Sequence, residues 1–130
     1  MSTVEITVAL PGVPAGRVIG AFTDPALVRQ WWGAELTTDG TAYTAYFPAL
    51  GQTMTGAVLR HEPDRFSFSW AWEHEPDLPT RRVDLYADGS ALHLSHGPYA
   101  DGGTEAEDRA SHEAGWAYFL PRLSALLTAS

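Results

Sequence analysis

The sequence contains no cysteine and no lysine. Without cysteine there is neither a disulfide framework nor a thiolate metal site. Without lysine there is no side-chain amine to form a Schiff base with a carbonyl substrate. The eight basic residues are all arginine and face sixteen acidic ones, for a formal net charge of −8. Apart from the pair Arg81 and Arg82 the arginines are scattered. An acidic chain without a basic stripe is repelled by phosphate backbones and anionic lipid heads, which argues against a nucleic-acid partner. No apolar run is long enough to cross a bilayer, so no membrane insertion is expected. The opening MSTVEITVAL lacks the basic start and apolar block of a signal peptide. Together these absences predict a cytoplasmic protein. The length of 130 residues predicts one domain over 1–130, large enough to bury a real core.

What is present is organised around the last stretch, Thr104 to Leu127. Thr104 and Glu107 have the spacing of a capping box, and Glu105, Glu107 and Asp108 place negative charge at the positive end of a helix dipole. His112, Trp116, Phe119, Leu120, Leu123, Leu126 and Leu127 then recur at steps of three and four, one apolar stripe on a long helix. Pro121 interrupts it and predicts a kink near Ala117. A stripe of this length needs a surface to cover.

The rest of the chain supplies one. Val4, Ile6, Val8 and Leu10 alternate with polar residues, as in a half-buried strand. Two short helices follow. Val18, Ile19 and Phe22 form the apolar face of the first. Asp24-Pro25 caps the second, Leu27, Val28, Trp31 and Trp32 form its apolar face, and Gly33 closes it. Strands are then expected at Thr41–Phe47, Gln52–His61, Arg65–Trp72, Thr80–Tyr86 and Ser90–His96, separated by turn-forming groups of which Asp88-Gly89 is the clearest. Connections this short suit antiparallel neighbours. Phe66, Phe68, Trp70 and Trp72 share one strand face and must be covered. Val83, Leu85, Leu92, Leu94 and His96 should share that inner face, with Asp84 and His93 outward. Pro98 to Gly103 reads as a loop. The predicted class is α+β, a curved antiparallel sheet wrapped around a long C-terminal helix, with two short helices after the first strand.

Four segments in this order carry a family resemblance: AFTDPALVRQWWG, FSFSWAW, SALHLSHGPY and GWAYFLPRLSALL. They resemble the family similar to the activator of heat-shock-protein-90 ATPase, within the START-like, or SRPBCC, superfamily. The resemblance implies a helix-grip fold with a deep cavity between sheet and helix. One stretch departs: LTTDGTAYTAYFPALGQ lacks a clear Asp followed by an Arg and a Gly-Gly pair. That bears on the local cavity wall and not on the fold.

The candidate ligand-binding residues are Trp31, Trp32, Phe68, Trp70, Trp72, Arg81, His96, Tyr99, His112, Trp116 and Phe119. The aromatics are either the wall of an apolar pocket or ordinary core. His96 and His112 either orient a ligand or titrate against it, or else are core histidines satisfied by a neighbour such as Tyr99. Arg81 either holds a carboxylate ligand, or reaches solvent or pairs with Glu73 or Glu75. The histidine–glutamate clusters at His61 and His74 lack the spacing of a metal site, and no cofactor motif is present.

The first functional reading is the binding of a small hydrophobic or amphipathic molecule in an aromatic-lined cavity. A second is an enzyme of the polyketide cyclase or dehydratase kind, which the superfamily also contains, with His96 as its acid or base. A third is a co-chaperone-like interaction module, favoured if Trp31 and Trp32 form an exposed patch. The eukaryotic activator's separate N-terminal domain has no counterpart in this sequence, which weighs against the third. A homodimer is compatible with all three.

Overall fold

The computed structural model describes residues 1–129. In chain order the elements are β1 (Ser2–Ala9), α1 (Ala15–Thr23), α2 (Pro25–Trp32), β2 (Glu35–Asp39), β3 (Ala42–Phe47), β4 (Gln52–His61), β5 (Arg65–Trp72), β6 (Arg81–Ala87), β7 (Ala91–Tyr99) and α3 (Gly103–Thr128). The seven strands form one antiparallel sheet in the order β1-β7-β6-β5-β4-β3-β2. β2 to β7 is a meander of hairpins. β1 joins at the far edge, so α1 and α2 carry the chain from one edge of the sheet to the other.

Local chemistry fixes these pieces. The Asp24 carboxylate accepts the Ala26 amide at 2.9 Å, Pro25 opens α2, and Gly33 ends it in the left-handed region at φ 71°. Asp88 accepts the amides of Ser90 and Ala91, both at 2.8 Å, and so shapes the β6–β7 turn. β4 and β5 approach closely at Gly56, where a Cβ would stand 2.1 Å from the carbonyl oxygen of Ser69. Only glycine fits there.

The curved sheet grips α3 through the expected stripe. His112, Trp116, Leu120, Leu123 and Leu127 are buried, and the four that are hydrophobic share one core cluster with Val83, Leu85, Leu92 and Leu94 of the sheet. Trp32 joins α2 to this core, 5.4 Å from Trp116 between ring centroids. No helix among the described residues is long and apolar enough to cross a membrane.

Three expectations need correcting. β2 is a strand that the apolar pattern does not reveal, because four of its five residues are exposed. β7 runs through Pro98 to Tyr99, which pairs with Ser2, so Tyr99 stands on a strand and not in a loop. The capping box at Thr104 and Glu107 does not form: the N-cap is Gly102, with no side-chain cap. Glu105 takes over part of that role by accepting the Ala100 amide at 2.9 Å. Pro121 lies inside α3, which runs as one helix from Gly103 to Thr128. The proline is solvent-exposed, so water can satisfy the carbonyl its missing N–H leaves free.

Candidate ligand-binding site

A cavity of about 540 Å³ lies between the N-terminal half of α3 and the β3, β5 and β5–β6 loop side of the sheet. Its walls are Trp32, Phe47, Trp70, Trp72, Trp116 and Phe119. Polar groups gather toward α3 and the loop: His74, Glu75, Glu107, Asp108, Ser111 and His112. Leu50, Glu107 and Ser111 are exposed to solvent and mark the mouth. A second cavity of about 200 Å³, almost wholly apolar, lies between the two short helices and β2 to β5. Trp32 borders both.

Behind the larger cavity is a buried polar cluster. Trp116 Nε1–H donates to Nδ1 of His96 at 2.9 Å. An indole nitrogen can only donate, so Nδ1 accepts and the proton of neutral His96 sits on Nε2. That atom is buried without a partner among the described residues. His96 stacks on His112 with centroids 4.8 Å apart and planes 5° from parallel. Tyr99 Oη lies 2.7 Å from His112 Nδ1, and His112 Nε2 lies 3.4 Å from the Asp108 carboxylate. Nε2 makes no hydrogen bond among the described residues, so the close partner of the ring is the Tyr99 hydroxyl at Nδ1.

Electrostatics favour those states. Burial, then the neighbouring His112 and Arg81, lower the His96 pKa to about 3. Burial also lowers that of His112, with Asp108 opposing and Arg81 assisting. Burial raises Tyr99, which keeps its proton. Both imidazoles are neutral near pH 7.

Arg81 holds the other end. Its guanidinium donates to Glu105 at 2.8 and 2.6 Å, to Asp108 at 2.8 Å and to the Pro98 carbonyl at 2.8 Å. It lies 4.4 Å from the centre of the Tyr99 ring. The hydrogen bond to Glu105 is the main cause of its raised pKa, and burial opposes it. The same contact lowers Glu105 to about 2.

Residues 12–128 match the family described as Activator of Hsp90 ATPase homolog 1-like protein. The chain belongs to that family. Among curated proteins none matches the sequence. Of the solved structures, DynU16, encoded in the dynemicin biosynthetic locus, is 26% identical with a TM-score of 0.77; the match covers 100% of this chain and 49% of DynU16. The chain thus spans about half the length of DynU16. MLL2253 from Mesorhizobium loti is 20% identical with a TM-score of 0.79 and 96% of each chain covered. The Aha1 dimer from Colwellia psychrerythraea is 14% identical with a TM-score of 0.77, covering 99% of this chain and 98% of that one. These likenesses establish the helix-grip fold.

Within this member of the activator-like family the expected site residues separate into groups. Trp32, Trp70, Trp72, His112, Trp116 and Phe119 come together on the larger cavity. Phe68 lines the smaller one. Trp31 is fully buried, its indole N–H donating to the Ala21 carbonyl at 2.7 Å, so it supports Trp32 from behind. Trp31 and Trp32 stack at 5.0 Å and form no exposed patch. His96 points inward as expected but lies behind Trp70 and His112, outside the cavity lining. Arg81 and Tyr99 are likewise behind the wall. Arg81 is 3% exposed and pairs with Glu105 and Asp108, not with solvent, Glu73 or Glu75. Phe47, Glu107, Asp108, Ser111 and Gly115 also line the cavity, though none is among the expected site residues. On α3 the signal was available, since Thr104, Asp108, Ser111, Gly115 and Phe119 continue the helical stripe at steps of three and four.

Proposed function

We propose that the protein binds a small hydrophobic or amphipathic molecule in the larger cavity. The observation that carries this reading is the cavity itself. Close-packed interiors leave few voids larger than a water, yet about 540 Å³ stands open beside six aromatic side chains, within the range of small-molecule pockets. Polar groups at one end and rings at the other suit an amphipathic occupant.

Binding is better supported than catalysis. A general acid or base needs a nitrogen within reach of the ligand. His96, the acid or base of that reading, is sealed behind the wall, and Nδ1 of His112 is engaged by Tyr99. The interaction-module reading loses its motivating feature, because Trp31 and Trp32 are interior.

The test is titration with a neutral fluorescent naphthyl dye. Saturable one-to-one binding with quenching of tryptophan emission is expected. Trp72→Ala and Phe119→Ala, both at half-buried positions that tolerate truncation, should each weaken binding about tenfold. Absence of saturation, or affinity indifferent to both changes, defeats the reading.

A further inference from the structure

The charge of the larger cavity is one-sided. Glu75, Glu107 and Asp108 are among its lining residues and no arginine is. Asp108 is already held, by Arg81 at 2.8 Å and by His112 at 3.4 Å. Arg81 is in turn enclosed by Glu105, Asp108 and the Pro98 carbonyl, so its charge is consumed behind the wall. Glu107 is exposed at the mouth and makes no ion pair among the described residues. Glu75 has one neighbour of opposite potential charge, His74 at 3.6 Å. Two carboxylates therefore face the entrance largely unneutralised.

Below them the walls present the rings of Trp32, Trp70, Trp72 and Phe119. The face of an aromatic ring carries the negative part of its quadrupole and attracts cations, tryptophan most strongly. Carboxylates and rings therefore act in the same sense. A carboxylate ligand meets neither a guanidinium nor an ammonium in the lining, and it approaches a protein of net charge −8. A cation at the mouth keeps part of its hydration while its apolar body enters the ring-lined depth, which avoids the full desolvation penalty of a buried ion.

We infer that the cavity selects a molecule carrying a protonated amine or quaternary ammonium on an aromatic or alicyclic body, and discriminates against carboxylates of the same shape. The inference rests on the cavity being the binding site, as proposed above.

The experiment compares three probes of one shape by isothermal titration calorimetry: 2-naphthylethylamine, 2-naphthylethanol and 2-naphthylacetate, at pH 7 and low salt. The expected order is amine, then alcohol, then carboxylate, with the amine about tenfold or more ahead of the carboxylate. Raising the salt to about 0.5 M should narrow that gap. Glu75→Gln together with Glu107→Gln should narrow it as well, by weakening the amine more than the alcohol. Both positions reach solvent, so folding is not at stake. Equal affinity for all three probes, or a preference for the carboxylate, overturns the charge inference and leaves the cavity reading standing. Failure of all three to bind overturns both. A gap that survives the double substitution also overturns it, because the two mouth carboxylates are then not its source.

Discussion

The indole N–H of Trp116 donates to Nδ1 of His96 across the interface of α3 and β7, at 2.9 Å. This contact fixes the imidazole tautomer and leaves His96 Nε2–H buried without a partner among the described residues. It also ties the covering helix to the sheet at a point where both residues are fully or almost fully enclosed, 2% and 0% exposed. The ring is a neutral acceptor, and protonating it would set an N–H against an N–H.

That arrangement makes stability depend on pH. His96 has its pKa lowered to about 3 in the fold, chiefly by burial, against about 6.5 in an unfolded chain. As pH falls below about 6.5 the unfolded chain takes up a proton that the folded chain refuses. The stability is complete above that value and is lost progressively toward the folded value of about 3. Between pH 7 and pH 5 this one group should remove about 2 kcal/mol, and His112, also lowered by burial, acts in the same direction. Urea midpoints at the two pH values check this. His96→Asn should make the drop smaller, and an equal drop in the variant would assign the effect elsewhere.

Arg81 should be among the residues least tolerant of truncation. Its side chain is 2% exposed and holds the carboxylates of Glu105 and Asp108, 20% and 9% exposed. Arg81→Leu strands two partly buried charges, a loss of about 3–5 kcal/mol in chemical denaturation. Adding Asp108→Asn should recover part of it, since one of the stranded charges is then gone. A single variant within about 1 kcal/mol of the parent would mean the carboxylates find water instead.

Gly56→Ala should destabilise through sterics alone. The new methyl would meet the Ser69 carbonyl oxygen at 2.1 Å, with its carbon and the Ser69 hydroxyl at 2.8 Å. Only the hydroxyl can turn away. Separation of β4 from β5 should cost about 1–3 kcal/mol and also disturb the Ala57 amide bond to the Ser69 hydroxyl, 2.8 Å long. Thermal unfolding followed by circular dichroism checks this, and an unchanged melting temperature would show that the two strands can part at no cost.

The features legible in the sequence were those with a period. Alternation put Phe66, Phe68 and Trp70 on one buried face, and steps of three and four gave the α3 stripe, because burial imposes those repeats on whichever side chains face the core. β2 escaped because an exposed edge strand carries no apolar repeat. The partners of Arg81 escaped for a different reason. Glu105 and Asp108 lie 24 and 27 residues away, while Glu73 and Glu75 were nearer in sequence. Nothing in the local pattern records that α3 begins beside the first residue of β6. The same contact undid the expected capping box, since the acidic residue recruited at the helix start was the one Arg81 could reach. At the cavity, the sequence points to five of the six wall rings, Phe47 excepted, and not to the carboxylates, because polar residues on a helix read as solvated until something is packed opposite them.

Trp32 stands at the end of α2, a helix of eight residues fixed by Asp24 at one end and Gly33 at the other. Its indole borders both spaces, of about 540 and 200 Å³. The side chain at this one position therefore bears on the shape of both spaces. A smaller side chain there would enlarge both, with the helix–sheet frame, the buried arginine and the histidine stack left in place. Relatives with the same architecture could thus accommodate differently shaped molecules without rebuilding anything that keeps them folded.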